Sequence, residues 1–202
     1  MKRLALSLLA LLLLAVPSSA KLADVYHSVR PLQANIMSIE GDTALRVICT
    51  ATSINSDEQY WLTAAHCLEG QEAVFVAGEP TTVVFNNPLI DIAVVQTQTL
   101  KVKSLKIAKT PPGVGDKVKV VGHPLGYKRP VLFSGKVALV GYDGYTWYDM
   151  TVCGGNSGSS VVNAKDEVTG VLQVGWGRPC TPFSGGSPWK VFKLYVGGFF
   201  RK

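Results

Sequence analysis

Apolar and polar positions along the 202-residue chain fall into two regimes. The first is a nearly uniform apolar stretch, Leu4 to Val16, preceded by Lys2-Arg3 and followed by Pro17-Ser18-Ser19-Ala20. A basic start, an apolar middle and small residues at Ser18 and Ala20 form the pattern of an export leader cleaved before Lys21. The stretch is shorter than the ~20 residues a helix needs to cross a bilayer, which favours cleavage over anchoring. In the second regime apolar residues come in short, β-branched runs. After a lead-in of mixed polarity from Lys21 to Asp42, strands are expected at Leu45–Ala51, Tyr60–Thr63, Ala73–Ala77, Thr81–Phe85 and Ile90–Gln96. Asn55-Ser56-Asp57-Glu58, Gly78, Pro80 and Pro88 punctuate them. A second set follows at Lys117–Val121, Val131–Val140, Tyr145–Thr151, Ser160–Val162 and Val168–Val174. The strong break between the sets is Thr110-Pro111-Pro112-Gly113-Val114-Gly115-Asp116, where a linker between two halves is expected. Arg178–Ser187 reads as a glycine-, proline- and serine-rich loop. Trp189–Val196 reads as a last strand, because Pro188 and Gly197-Gly198 interrupt a helical pattern.

Composition narrows the picture. The net charge is +6, and loss of the leader would remove Lys2 and Arg3. What remains is a mild excess spread along the chain, with small groups at Lys101, Lys103, Lys106 and Lys109 and near the end at Lys190, Lys193, Arg201 and Lys202. Solvated faces account for these better than a phosphate-binding track, so no nucleic-acid partner is expected. Neither is a stable membrane association. No Asn-x-Ser/Thr acceptor is present. Four cysteines in an exported chain imply two disulfides, with three possible pairings. A zinc site fails on spacing, since there is no Cys-x-x-Cys and no paired histidine. No cofactor or metal is expected.

The chemistry converges on Cys153-Gly154-Gly155-Asn156-Ser157-Gly158-Ser159. A nucleophilic hydroxyl must stand on a tight turn, clear of bulky neighbours, with backbone N–H groups aimed beside it. Glycine at 155 and 158 permits backbone conformations that a side chain would forbid. The N–H groups of Gly155 and Ser157 are then candidates for an oxyanion hole. A glycine-rich turn between two strands is the bland alternative for this stretch alone. It is not alone: Thr63-Ala64-Ala65-His66-Cys67 supplies a candidate base, and Asp91-Ile92-Ala93-Val94-Val95 a candidate orienting carboxylate. Asp91 stands among apolar residues, where an unpaired charge would cost several kcal/mol, and the His66 imidazole is the natural partner. His27 and His123 fall outside these motifs and are expected as a surface residue and a polar turn residue.

These three motifs, in the order His, Asp, Ser, resemble the chymotrypsin-like serine proteases, whose triad follows the same chain order. The phrase Gly154-Gly155-Asn156-Ser157-Gly158-Ser159, with Val161-Val162-Asn163 and Glu167-Val168-Thr169-Gly170-Val171, is similar to two bacterial branches, the glutamyl endopeptidases and the HtrA-type proteases. The likeness runs over roughly residues 40 to 195. It implies an all-β fold of two six-stranded antiparallel Greek-key barrels with the active site in the cleft between them. The expected layout is a leader at 1–20, then a protease domain at 21–202, with an N-terminal barrel over about 40–109 and a C-terminal barrel over about 115–196. The disulfides implied are Cys49–Cys67 and Cys153–Cys180. The implied reaction is peptide hydrolysis through an acyl-enzyme, with His66 as base, Asp91 as its orienter and Ser157 as nucleophile. Activity should fall below about pH 6, where imidazole is protonated.

The resemblance also frames specificity. In the family a Trp-Gly step walls the substrate cleft, here Gly175-Trp176-Gly177, and pairs with an extended peptide by strand addition. Thr151 stands six before the serine, where trypsin-like cleavage after Lys or Arg uses an aspartate. Glutamyl endopeptidases usually carry a histidine just before the Trp-Gly step, and Gly175 stands there instead. Thr151, Val152 and the Trp189 region therefore imply an uncharged pocket for apolar or small side chains. Asn156 replaces the aspartate that pairs with a new amino terminus in trypsin-like zymogens, so that route of activation is not expected. The partner is a protein or peptide substrate, with oligomeric state left open. A catalytically silent or latent binding protein on the same fold is the alternative, although all three triad positions are filled.

Overall fold

The structure, a computed structural model, describes residues 19–37, 43–141, 144–175 and 179–200. The expected leader thus lies almost wholly outside the described residues. So do Trp176 and Gly177.

Thirteen strands are described, arranged in two sheets. The first contains β1 (Val29–Met37), β2 (Thr43–Asn55), β3 (Tyr60–Thr63), β4 (Val74–Val76), β5 (Glu79–Pro80), β6 (Thr82–Asn87) and β7 (Ile92–Gln96). Their order is β5-β4-β1-β2-β3-β7-β6, a curved sheet that forms half a barrel. The second contains β8 (Lys117–Gly122), β9 (Val131–Val140), β10 (Thr146–Cys153), β11 (Ser160–Val162), β12 (Val168–Gly175) and β13 (Cys180–Gly186). These close into a barrel in the order β10-β13-β12-β11-β8-β9. The architecture is the trypsin-like two-barrel fold, with six strands in the closed half and seven in the open one. Among the described residues all strand pairings are antiparallel apart from one isolated parallel bridge, Ile107 to Val168.

Three segments differ from the sequence reading. The lead-in is structured: α1 (Ser19–Ser28) runs into β1, which pairs with β2 from Val29↔Thr52 to Met37↔Thr43. Val25, Val29 and Leu32 are buried in the core, so the N-terminal sheet begins before residue 40. The stretch read as a loop holds β13, which pairs with both β10 and β12 and closes the barrel. Its sequence, Cys-Thr-Pro-Phe-Ser-Gly-Gly, looks like a loop because the strand crosses close to its neighbours. A side chain at Gly186 would strike the Val171 carbonyl and the Tyr148 ring, and glycine inside a strand marks such an approach. Finally, Trp189–Val196 is the helix α2, not a strand. Pro188 is its N-cap and Gly197 its C-cap, so the breakers stand at its ends instead of interrupting it. Phe192 and Val196, four apart, form its buried face.

The long connection from 97 to 116 carries no strand, and the expected linker at 110–116 is its last part. It is pinned to the second sheet where Val168 N–H donates to Lys106 and Ala108 N–H donates to Val168. One apolar cluster spans both halves, from Val25 and Trp61 to Phe192 and Phe200, and a second fills the closed barrel around Tyr148 and Met150. The two halves therefore share a core.

Candidate active site

His66 lies on a 3₁₀ turn, Ala65–Cys67, directly after β3. Ala64 and Ala65 are wholly buried, and larger side chains there would push the turn off the sheet. The Cys49–Cys67 disulfide ties the turn to β2. Asp91 does not stand in a strand: it occupies the turn before β7 at φ 50°, in the left-handed region. Its carboxylate meets His66 twice. Oδ2 lies 2.8 Å from Nδ1, and Oδ1 accepts the His66 backbone N–H at 2.8 Å. A carboxylate only accepts, so Nδ1 carries the proton and Nε2 presents its lone pair. The Asp91 hydrogen bond raises the His66 pKa above the usual imidazole value; burial opposes this, and the charges of Asp91 and Glu69 reinforce it. From the other half, the Gln173 amide on β12 donates to the carbonyls of Ile90 and Asp91 at 2.7 and 2.8 Å.

The turn Cys153–Ser159 is held mostly by its backbone. Gly155 has φ 92° and Gly158 φ 82°, and a side chain at either would strike backbone: the His123 carbonyl at the first, the Thr50 carbonyl at the second. The Asn156 N–H turns back to the Cys153 carbonyl at 3.1 Å. On either side of it, the Gly155 and Ser157 N–H groups donate to no partner among the described residues. Their carbonyls face the other way, onto Thr50 of β2. Thr50 N–H donates to Ser157 at 2.9 Å, and its hydroxyl donates to Gly155 at 2.9 Å while accepting the His123 N–H at 2.9 Å. Thr63 Oγ1 in turn donates to the Thr50 carbonyl. Thr50 is wholly buried, and no motif signals it. The second disulfide, Cys153–Cys180, joins β10 to β13 beside this turn. Both disulfides are the pairs the family resemblance implied.

His123 opens the turn Pro124–Gly126, as expected, but it is buried. It is 1% exposed, and its Nδ1 lies 2.9 Å from the Tyr127 carbonyl, which fixes the proton on Nδ1. Burial lowers its pKa; the Tyr127 bond opposes this, and the charge of Arg30 adds to it. His27 is exposed, as expected. Asn156 is wholly buried, and its amide has no hydrogen-bond partner among the described residues.

His66 and Ser157 line one cleft of about 450 Å³. Val152 and Gly175 from the sequence reading line it too, together with Leu172, Gln173, Pro179 and Thr181. Thr151 is exposed and does not line it, since alternate residues of β10 face opposite ways. Trp189 is also absent from its walls; its indole N–H donates to Ala108 instead. Among the described residues no carboxylate or cationic Lys or Arg side chain faces this cleft. Thr181 reaches it through register: it stands opposite Val152 in the β10–β13 pair. Strand pairing of this kind leaves no local trace in the sequence.

A family model described as a trypsin-like peptidase domain matches residues 49–171, a span that holds His66, Asp91 and Ser157. The chain belongs to that family. One relative is a probable periplasmic serine endoprotease, DegP-like, from Buchnera aphidicola subsp. Schizaphis graminum (strain Sg). It is 28% identical over 133 residues, covering 58% of this chain and 28% of the relative. Among solved structures, the HtrA-type protease AlgW with decapeptide aligns with a TM-score of 0.74 at 16% identity, covering 85% of this chain and 63% of that one. The serine endoprotease from Yersinia pestis aligns with a TM-score of 0.75 at 21% identity, covering 91% and 67%. At these identities the structural likeness shows the fold. The chain spans little more than a quarter of the DegP-like relative's length.

Proposed function

We propose that this protein is a serine endopeptidase that works outside the cytoplasm, in the periplasm or as a secreted enzyme. The observation that carries the reading is the twofold Asp91–His66 hydrogen bond, with His66 lining the same cleft as Ser157. In the proposed reaction Nε2 of His66 takes the Ser157 proton as Oγ attacks the scissile carbonyl. Asp91 keeps the tautomer and stabilises the imidazolium that forms. The free N–H groups of Gly155 and Ser157 receive the oxyanion. The tetrahedral intermediate collapses as His66 gives the proton to the leaving amine. Water, deprotonated by the same nitrogen, then releases the acyl group.

Val152, Leu172 and the Thr181 methyl give the cleft an apolar lining, which suits an apolar or small side chain before the scissile bond. The export reading rests on the leader pattern and the two disulfides, which persist in oxidising compartments; the periplasmic label of the Buchnera relative agrees with it. Mass spectrometry of the exported chain should find it starting at Lys21.

The deciding experiment is labelling with a fluorophosphonate probe, which reports an activated serine and an open oxyanion hole. The wild-type protein should label and Ser157→Ala should not. Equal labelling of both, or none of the wild-type protein, would overturn the reading in favour of a silent or latent form.

A further inference from the structure

Beyond the nucleophile turn a second cavity, of about 820 Å³, opens against the first. Gly154 lines both, so the two meet at the turn. Its walls are Arg46 and Ile48 of β2, Leu125 and Lys128 of the turn after β8, and Gly155. One wall is a strand edge. β1 covers the first edge of β2 along its length, but β3 pairs with the second edge only from Thr52 onward. The edge beside Arg46 and Ile48 is therefore open among the described residues, and an extended peptide can add to such an edge as a strand.

The chemistry of the walls is one-sided. Arg46 and Lys128 are exposed and come from different halves of the molecule. Among the described residues no carboxylate lines the cavity. Glu69, whose charge reaches His66, is not on its walls. Two exposed apolar side chains line the cavity with the cations: Leu45 is 39% exposed and Leu125 is 53% exposed. Leu125 is held at φ 53°, a conformation a leucine rarely adopts, by its N–H bond to the Gly154 carbonyl at 2.6 Å. The fold thus fixes an apolar side chain in the open, next to the turn that carries Ser157.

We propose that this groove receives the leaving-group half of the substrate, and that Arg46 and Lys128 select polypeptides carrying Asp or Glu in the first residues after the scissile bond. The proposal rests on the endopeptidase reading and adds a substrate class to it. The uncharged cleft takes the side chain before the bond, and the cationic, partly apolar groove takes the residues on its far side. Acidic groups there gain Coulomb attraction from two directions, and a basic chain is repelled by both.

The test uses quenched fluorescent peptides with one apolar residue before the scissile bond and Glu, Gln or Lys at the second and third positions after it. The wild-type protein should cleave the Glu peptide faster than the Lys peptide, by about fivefold or more in kcat/KM at low salt. The ratio should shrink as salt is raised. In Arg46→Gln/Lys128→Gln, two exposed substitutions, it should approach one. A ratio near one in the wild-type protein, or one unchanged in the double variant, overturns the groove while leaving the peptidase reading intact. If no peptide is cleaved and the serine does not label, the peptidase reading fails. Fluorescence anisotropy of the same peptides on Ser157→Ala then decides the groove separately. Tighter binding of the Glu peptide, lost when Arg46→Gln and Lys128→Gln are added to Ser157→Ala, supports it, and equal binding of Glu and Lys peptides overturns it.

Discussion

The two halves hold their proposed catalytic groups in different ways. In the open N-terminal sheet the proposed base and its orienter hold each other directly, through two bonds between one carboxylate and one histidine. In the closed C-terminal barrel the proposed nucleophile is held through its backbone, by a threonine from the opposite half. The bracing is reciprocal, because Gln173 of the closed barrel grips the backbone of Ile90 and Asp91. Side-chain chemistry is thus local to each half, whereas its alignment across the cleft depends on bonds between halves. Loss of a chemical group and loss of a brace should therefore read out differently.

The largest effect is expected for the chemical group. In Asp91→Asn the amide oxygen can still accept the His66 backbone N–H, but the NH₂ donates to Nδ1. That moves the imidazole proton to Nε2, the wrong nitrogen for a base. The fold is retained and kcat should fall by about 10⁴. Steady-state cleavage of a fluorogenic peptide measures this; a loss under about tenfold would remove Asp91 from the proposed role.

A smaller effect is expected for the brace. Thr50→Val keeps the shape of the side chain but leaves the Gly155 carbonyl and the His123 N–H without the hydroxyl. A buried polar group left unpaired costs about 1–3 kcal/mol. The turn can relieve this by shifting, which moves the two proposed oxyanion donors. We expect kcat to drop by roughly 10- to 100-fold, for a loss of about 1.4–2.7 kcal/mol in the transition state. KM should change little, because Thr50 does not line the cleft. Thr50→Ser, which keeps the hydroxyl, should restore most of the rate. A parallel rise in KM, or no rescue by serine, would mean that Thr50 only packs.

This difference between groups and braces also decides what was legible in the sequence. His66, Asp91 and Ser157 each sit in a short motif, because small neighbours and a turn are local requirements. Thr50 has no such signature, since a buried threonine in a strand is ordinary and its role comes from meeting a turn 105 residues away. Leu172, Gln173 and Thr181 were hidden for the same reason: register and face place them in the cleft. β13 and α2 were misread where local signals conflict with tertiary context. In β13 the glycines serve close strand contact, and in α2 the breakers are caps. Thr151 failed through strand alternation, because a neighbour of a lining residue points away from the cleft.

The smallest effect concerns protonation, and it separates His66 from His123. His66 has a raised pKa, so kcat/KM should climb with pH through a limb centred above about 6.5, the ordinary imidazole value. That is higher than the fall below about pH 6 expected from an unperturbed base. The Asp91 bond is the largest cause, so in Asp91→Asn the limb of the residual activity should move down. His123 carries the opposite shift. Burial holds its pKa below the ordinary imidazole value, so it contributes no limb above about 6.5. Its effect is on stability. Below about pH 6.5 the unfolded chain binds a proton at His123 that the folded chain resists, so stability falls as pH drops. His66 works against this, since its folded form takes up the proton first. A profile of kcat/KM from pH 5 to 9, beside thermal melts over the same range, resolves the two. His123→Asn should flatten the acid side of the stability curve and leave the position of the activity limb where it was. An activity limb that moved with His123→Asn, and not with Asp91→Asn, would transfer the titrating role to the other half of the molecule.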